Sequence, residues 1–186
     1  MTSTAYMRKK QPDAVKRALL DATIQIATEQ GVQGVTVQAV ASAAGVTKGG
    51  LFHHFPNKQA LIDGVYQDLI EKMDAELDEH MARDVEAYGC FTRAYVETML
   101  SGSDFGANSP WTALSVTMLA DPGNNLAFIG WLEARLDRHR ETDSDPMLEV
   151  VRFAADGAWF IFIDKAPDPV RLDELRARLI GMTRPA

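Results

Sequence analysis

Apolar residues recur at helical spacing along almost the whole chain. From Asp13 onward, Val15, Ala18, Leu19, Ala22 and Ile26 fall on one face, and Gly31 and Gly34 close the segment. Val37, Val40, Ala41 and Ala44 mark a second, short helix, with Thr36 placed as its N-cap. Gly45-Val46-Thr47 interrupts the pattern, and Thr47 is positioned to cap a third short helix running to about His54. Phe55-Pro56-Asn57 ends that helix, because the residue before a proline is pushed out of the helical region. Asn57 then caps a long fourth helix with Leu61, Val65, Leu69 and Met73 turned inward. Residues 1–11 read as a flexible tail.

Further helices are expected near 84–101, 110–120, 124–140, 146–165 and 169–182. Asp121-Pro122-Gly123, Asp145-Pro146 and Asp168-Pro169 act as start signals, since aspartate suits a cap and proline fits the first helical turn. Ser101 to Pro110 is the most loop-like interior stretch. No run of alternating β-branched residues is long enough for a strand, and no internal repeat is visible. The pattern predicts an all-α chain of about nine helices.

A chain of 186 residues is long enough to bury one medium core or a small and a larger one. Its formal net charge of -7 is as a total unsuited to a polyanionic partner, but the charge is unevenly distributed. Residues 1–58 carry seven basic side chains against three acids, so the acidic excess lies wholly in the remainder. A polyanion would be drawn to one end and repelled by the other, which orients as well as attracts. An unevenly charged solvated surface would look the same on charge alone. Cys90 is the sole cysteine, which leaves no internal disulfide or cysteine cluster for zinc and suits a reducing cytoplasm. Arg8-Lys9-Lys10 is not followed by the apolar stretch of a signal peptide. The longest uncharged run, Phe105 to Ala120, contains Asn108, Ser109 and Pro110 and falls short of the ~20 apolar residues that a membrane helix needs. A soluble, cytoplasmic protein is expected.

Two short helices joined by a glycine-containing turn form the helix-turn-helix pattern, here between Gly34 and Lys58. Ala41 is small where the helices would cross, and Gly45 can take the positive φ of the turn. Val40, Ala44, Val46 and Leu51 make a miniature core covered by Leu19, Ala22 and Ile26. The third helix would be the reader, entering the major groove by its N-terminal end. Thr47 and Lys48 stand at that end, and Gly49-Gly50 lets the backbone approach DNA closely. Phe52 and His53 suit contact with a thymine methyl, a base edge or a phosphate. Lys58 can hold a second phosphate. For Phe52 and His54, core packing and DNA contact remain equally open.

The run Thr36-Val37, Val40-Ala41, Ala44-Gly45-Val46-Thr47-Lys48-Gly49, Leu51-Phe52-His53-His54-Phe55, Lys58 and Leu61 resembles the N-terminal domain of TetR-family regulators. The resemblance covers roughly residues 13–62, and the aromatic-His-Phe sequence followed by lysine is its most specific part. It implies a helix-turn-helix DNA-binding domain over 1–57 and a helical ligand-binding and dimerisation domain over 58–186. The residues expected at DNA are Thr36, Gln38, Thr47, Lys48, Gly49, Gly50, Phe52, His53 and Lys58. Phe52 departs from the family's usual tyrosine and so lacks its phosphate-binding hydroxyl. Gly50 replaces the larger side chain of many members. The resemblance further implies a homodimer on a near-palindromic double-stranded operator, and a small-molecule effector that relieves repression.

Beyond that segment the sequence says less. Phe153, Trp159, Phe160, Ile163, Leu172, Leu175, Leu179 and Ile180 offer apolar surface for the dimer that the resemblance implies, or for an ordinary core. Phe91, Tyr95, Met99, Phe105, Trp111, Met118, Phe128, Trp131 and Trp159 suit an adaptable effector cavity, and equally suit core packing. Asp156 sits inside an apolar run, where it would meet a cationic ligand or pair with Arg152 one turn back. Glu76, His80 and Asp84 share a face that could bind a divalent ion, but a solvated polar face explains them better. No nucleophile elbow, phosphate-binding loop or paired Glu-x-x-His is present, so no catalytic residue, metal or cofactor is expected. The alternatives to a ligand-responsive repressor are a helical ligand-binding protein or enzyme that has lost DNA recognition, and a non-specific architectural DNA binder.

Overall fold

The computed structural model describes residues 3–101, 114–116, 119–162 and 168–184, with side chains from Pro12 onward. Nine helices with both ends described, a further helical stretch at 114–116 and no strand are seen among the described residues. They are α1 (Ser3–Gly34), α2 (Val37–Ala43), α3 (Lys48–His54), α4 (Lys58–Arg83), α5 (Cys90–Leu100), α6 (Pro122–Arg138), α7 (Arg140–Asp143), α8 (Pro146–Ile161) and α9 (Pro169–Met182). Contacts divide the chain into two compact units, Met1–Asp68 and Leu69–Ala186, with α4 contributing residues to each.

The caps expected from the sequence are made. Thr36 Oγ1 accepts from the Ala39 N–H, Thr47 Oγ1 from that of Gly50, and Asn57 Oδ1 from that of Ala60. Asp121, Asp145 and Asp168 each accept backbone N–H bonds at the start of α6, α8 and α9, with proline in the first turn. Three boundaries differ from expectation, one of them the end of the helix expected over 146–165, which falls at Ile161. Residues 3–11 continue α1 rather than forming a tail; Ala5, Met7, Arg8, Lys9 and Lys10 all favour helix, and the helix runs through Pro12. The helix expected from residue 84 starts only at Cys90, because Gly89 is left-handed at φ 71. The loop before it is clamped by Arg93, which donates to Asp84 and to the carbonyls of Glu86 and Tyr88.

In the first unit, Leu19, Ala22 and Ile26 of α1 are buried, as are Val40 and Ala41 of α2, Leu51 of α3 and Leu61 and Val65 of α4. Gly31 breaks the helical conformation near the end of α1 (φ 71, ψ 170), so the segment closes where expected. Gly45 takes φ 68 in the turn between α2 and α3. Phe55 packs so tightly on α4 that a Cβ at Gly64 would lie 2.6 Å from its Cε1. The second unit has its own core, built on Met73, Leu77, Phe91, Tyr95, Val96, Met99, Leu100, Val151, Ala155 and Leu179. No helix among the described residues is long and apolar enough to cross a membrane.

Candidate nucleic-acid interface and effector region

The geometry of α3 follows from three local features. Gly45 turns the chain, Thr47 caps the helix start, and Leu51 (0% exposed) anchors one face of the helix in the core. The other face is left in solvent, where Thr47, Lys48, Gly49, Phe52 and His53 are all exposed. Phe52 is therefore a surface side chain, whereas His54 is half-buried and stands edge-on to His53 with ring centroids 5.6 Å apart. Thr36 and Gln38 are likewise exposed at the start of α2. The hydroxyl oxygens of Thr36 and Thr47 accept the capping bonds, which leaves each O–H free to donate to an acceptor such as phosphate. Gly50 is half-buried, and a Cβ there would touch Thr47 Oγ1 at 3.4 Å. Lys58 has an unforeseen tie: its Nζ donates to the Val32 carbonyl at 3.1 Å, which holds the side chain beside the end of α1 with further N–H donors to spare.

In the second unit, six of the apolar effector candidates share one region. Phe91, Tyr95 and Met99 are buried in the core, and Phe128 and Trp131 of α6 and Trp159 of α8 pack against it. Phe105, Trp111 and Met118 lie outside the described residues, as does Ile163. Asp156 takes a hydrogen bond from the Tyr95 hydroxyl at 2.5 Å. Its carboxyl is pushed above the usual carboxylate range because burial outweighs the help of that bond and of the Arg152 charge. Arg152 does not make the expected pair with Asp156. Its Nη1 instead donates to Thr92 Oγ1 at 2.6 Å and to the Asp143 carbonyl at 3.4 Å.

Two polar networks were not foreseen. Asp143 (1% exposed) accepts from the backbone N–H groups of Phe91 and Thr92 and from the Thr92 hydroxyl. Arg135 (2% exposed) donates Nε to Asp74 at 2.6 Å and Nη1 to Asp78 at 2.7 Å, while Trp131 Nε1 donates to the same Asp74 oxygen at 2.7 Å. Asp74 and Asp78 stand four apart on α4, as Trp131 and Arg135 do on α6, and that doubled i,i+4 spacing was the available signal. The trio Glu76, His80 and Asp84 does not assemble. His80 Nε2 lies 3.7 Å from Glu76 Oε1, Asp84 is bonded to Arg93, and no metal-capable group of three is found among the described residues.

Comparison with known proteins places both parts of the chain. The family model for bacterial regulatory proteins of the tetR family matches residues 19–65, and that for the tetracyclin repressor-like C-terminal domain matches residues 89–184. The transcriptional repressor KstR2 of Rhodococcus jostii is 26% identical over 98 residues, 53% of this chain and 46% of that protein. The class A tetracycline repressor from transposon 1721 of Escherichia coli is 42% identical over 74 residues, 40% of this chain and 31% of its own. The chain thus spans less than half the length of these curated relatives. The solved structure of the multidrug binding protein EbrR complexed with malachite green has the same fold, with a TM-score of 0.70 over 91% of this chain and 98% of that one at 17% identity. With a helix-turn-helix of matching sequence ahead of a C-terminal domain whose family model alone covers half of the chain, the chain belongs to the TetR family of bacterial regulators.

Proposed function

We propose that this protein is a sequence-specific DNA-binding transcriptional regulator, a repressor that a small-molecule effector releases from a near-palindromic operator. The carrying observation is the solvent face of α3. A short capped helix, held by one buried leucine, presents Thr47, Lys48, Gly49, Phe52 and His53 together. Thr36, Gln38, Gly50 and Lys58 complete the set assigned to DNA. Lys48, Lys58 and the threonine hydroxyls serve phosphates, which set register, while Phe52 and His53 face the bases.

The active form is a homodimer, whose two α3 helices reach half-sites about one DNA turn apart. Support comes from α8, where Met147, Val150, Phe153, Phe160 and Ile161 are all exposed apolar side chains at helical spacing. The effector site draws on Phe91, Tyr95, Met99, Phe128, Trp131 and Asp156, with Phe105, Trp111 and Met118 assigned to it from the sequence. Asp156, bonded to a neutral phenol, favours an effector that carries a cation beside apolar surface. We assign the protein no catalytic step, and a cytoplasmic location follows from its work on DNA.

Selection of random duplexes bound by the purified protein at physiological salt tests the reading. A short enriched near-palindrome is the expected result. Tight but unselective binding that collapses with salt would instead mark an architectural DNA binder.

A further inference from the structure

Phe52 stands out on α3 because its chemistry suits none of the phosphate contacts. Leu51 (0% exposed) and Phe55 (5%) fill the core on either side of it, yet Phe52 keeps 48% of its surface in solvent. One turn earlier on the same face is Gly49, where an added Cβ would find nothing nearer than Thr47 Oγ1 at 3.9 Å. Gly49 therefore adds no side chain to that face beside the half-exposed ring. Lys48 and His53, its exposed neighbours, carry the hydrogen-bonding groups.

A phenyl ring neither donates nor accepts a hydrogen bond. Pressed against a phosphate or a polar base edge, it would strip water and return nothing. In the major groove the one apolar group on an unmodified base edge is the 5-methyl of thymine. We propose that Phe52 selects a pyrimidine 5-methyl group, thymine in unmodified DNA, at one position of each half-site. Phe52 does this only if α3 lies in the major groove, as the proposed function requires. Removing a methyl-sized apolar contact weakens binding about fourfold for each half-site.

Competition binding with the purified protein and its selected operator tests this. Each thymine of the half-site is replaced in turn by deoxyuridine, which differs only by the lost methyl. The parent should bind about fourfold more weakly when one particular thymine is replaced in a single half-site, and about sixteenfold more weakly when it is replaced in both. 5-Methylcytosine placed there should recover part of what cytosine loses. Phe52→Ala, a change at an exposed position, should bind the thymine and uracil duplexes alike. Lys48→Ala should weaken both duplexes and keep the preference. A parent that binds every deoxyuridine duplex as tightly as the thymine operator would overturn the methyl contact alone, as would a Phe52→Ala variant that still prefers thymine. A parent that enriches no sequence at all would overturn the regulator reading, and the methyl contact with it.

Discussion

The Tyr95 hydroxyl on α5 donates to Asp156 Oδ1 on α8 at 2.5 Å, joining two helices that pack side by side in the second unit. Arg152, one turn before Asp156, directs its guanidinium to Thr92 and the Asp143 carbonyl instead. The carboxylate is thus bonded by a neutral group in a largely apolar setting, and its pKa is raised chiefly by burial. A native pKa above the unfolded one means that the folded state binds more protons. The stability this gives is full below the unfolded pKa and is lost as pH rises through the native value. Asp156→Asn keeps an acceptor for Tyr95 and removes the charge. Urea denaturation should therefore find the variant more stable than the parent near pH 7, with the difference shrinking toward pH 4. Parallel pH profiles for the two proteins would refute this.

Asp74 shows the opposite sign. Burial works against its ionisation, but the bonds from Arg135 and Trp131 and the Arg135 charge outweigh it, and its pKa is lowered. Its stabilising effect is present above the unfolded pKa and is lost as acid lowers the pH through the native one. Asp74→Ala should cost about 3 kcal/mol at neutral pH, because it leaves the buried Arg135 with a single carboxylate. Asp78, whose side chain is 56% exposed, should cost under about 1 kcal/mol on the same substitution. Equal losses for the two would contradict this ranking.

How much of this was legible in the sequence depended on range. Thr36, Thr47 and Asn57, and the three Asp-Pro pairs, act on N–H groups two or three residues away, so spacing alone placed them. Gly45 was legible because a turn between two short helices needs a positive φ. Asp143 was not, since its partners Phe91 and Thr92 are some fifty residues distant and nothing local links them. The expected Arg152–Asp156 pair failed for the same reason: the i,i+4 geometry was available, but tertiary partners on α5 claimed both side chains. At the candidate DNA site the exposure of Phe52 needed the structure, because a helix with Leu51, Phe52 and Phe55 can bury only some of its apolar residues and periodicity left the choice open.

Gly64 is required by its neighbour. An alanine Cβ would sit 2.6 Å from Cε1 of the buried Phe55 ring and 3.5 Å from Leu20 Cδ2. A rigid ring in a packed core has little room to retreat, so Gly64→Ala should cost about 1–3 kcal/mol despite its better helix propensity. A rise in thermal midpoint would show that the ring moves freely. The contrasting control is Gly49→Ala, whose Cβ meets only Thr47 Oγ1 at an ordinary 3.9 Å and which should leave stability unchanged or slightly higher.

Lys48 and His53 are both exposed on α3, yet they should fail in different ways. Lys48→Ala should weaken binding to all duplexes and reduce the slope of log affinity against log salt by about one, the signature of one lost phosphate contact. His53→Ala should change the ranking among operator variants while leaving that slope unaltered. Titrations at several salt concentrations separate the two effects. Parent-like binding by both variants would remove α3 from the DNA interface.

The exposed face of α8 gives the dimer its own test. Phe153 is 67% exposed and Phe160 63%, and burying such rings between two copies is worth about 1.5–3 kcal/mol each by transfer free energy. Charge placed there should oppose association while leaving the fold intact, since neither ring belongs to the buried core. Sedimentation should therefore find Phe153→Glu and Phe160→Glu largely monomeric at concentrations where the parent is dimeric, with unchanged helical content. Operator affinity should fall with dimerisation, because two half-site contacts would become one. Variants that stay dimeric would move the interface off this face, and monomers that bind the full operator undiminished would show that each half-site is read independently.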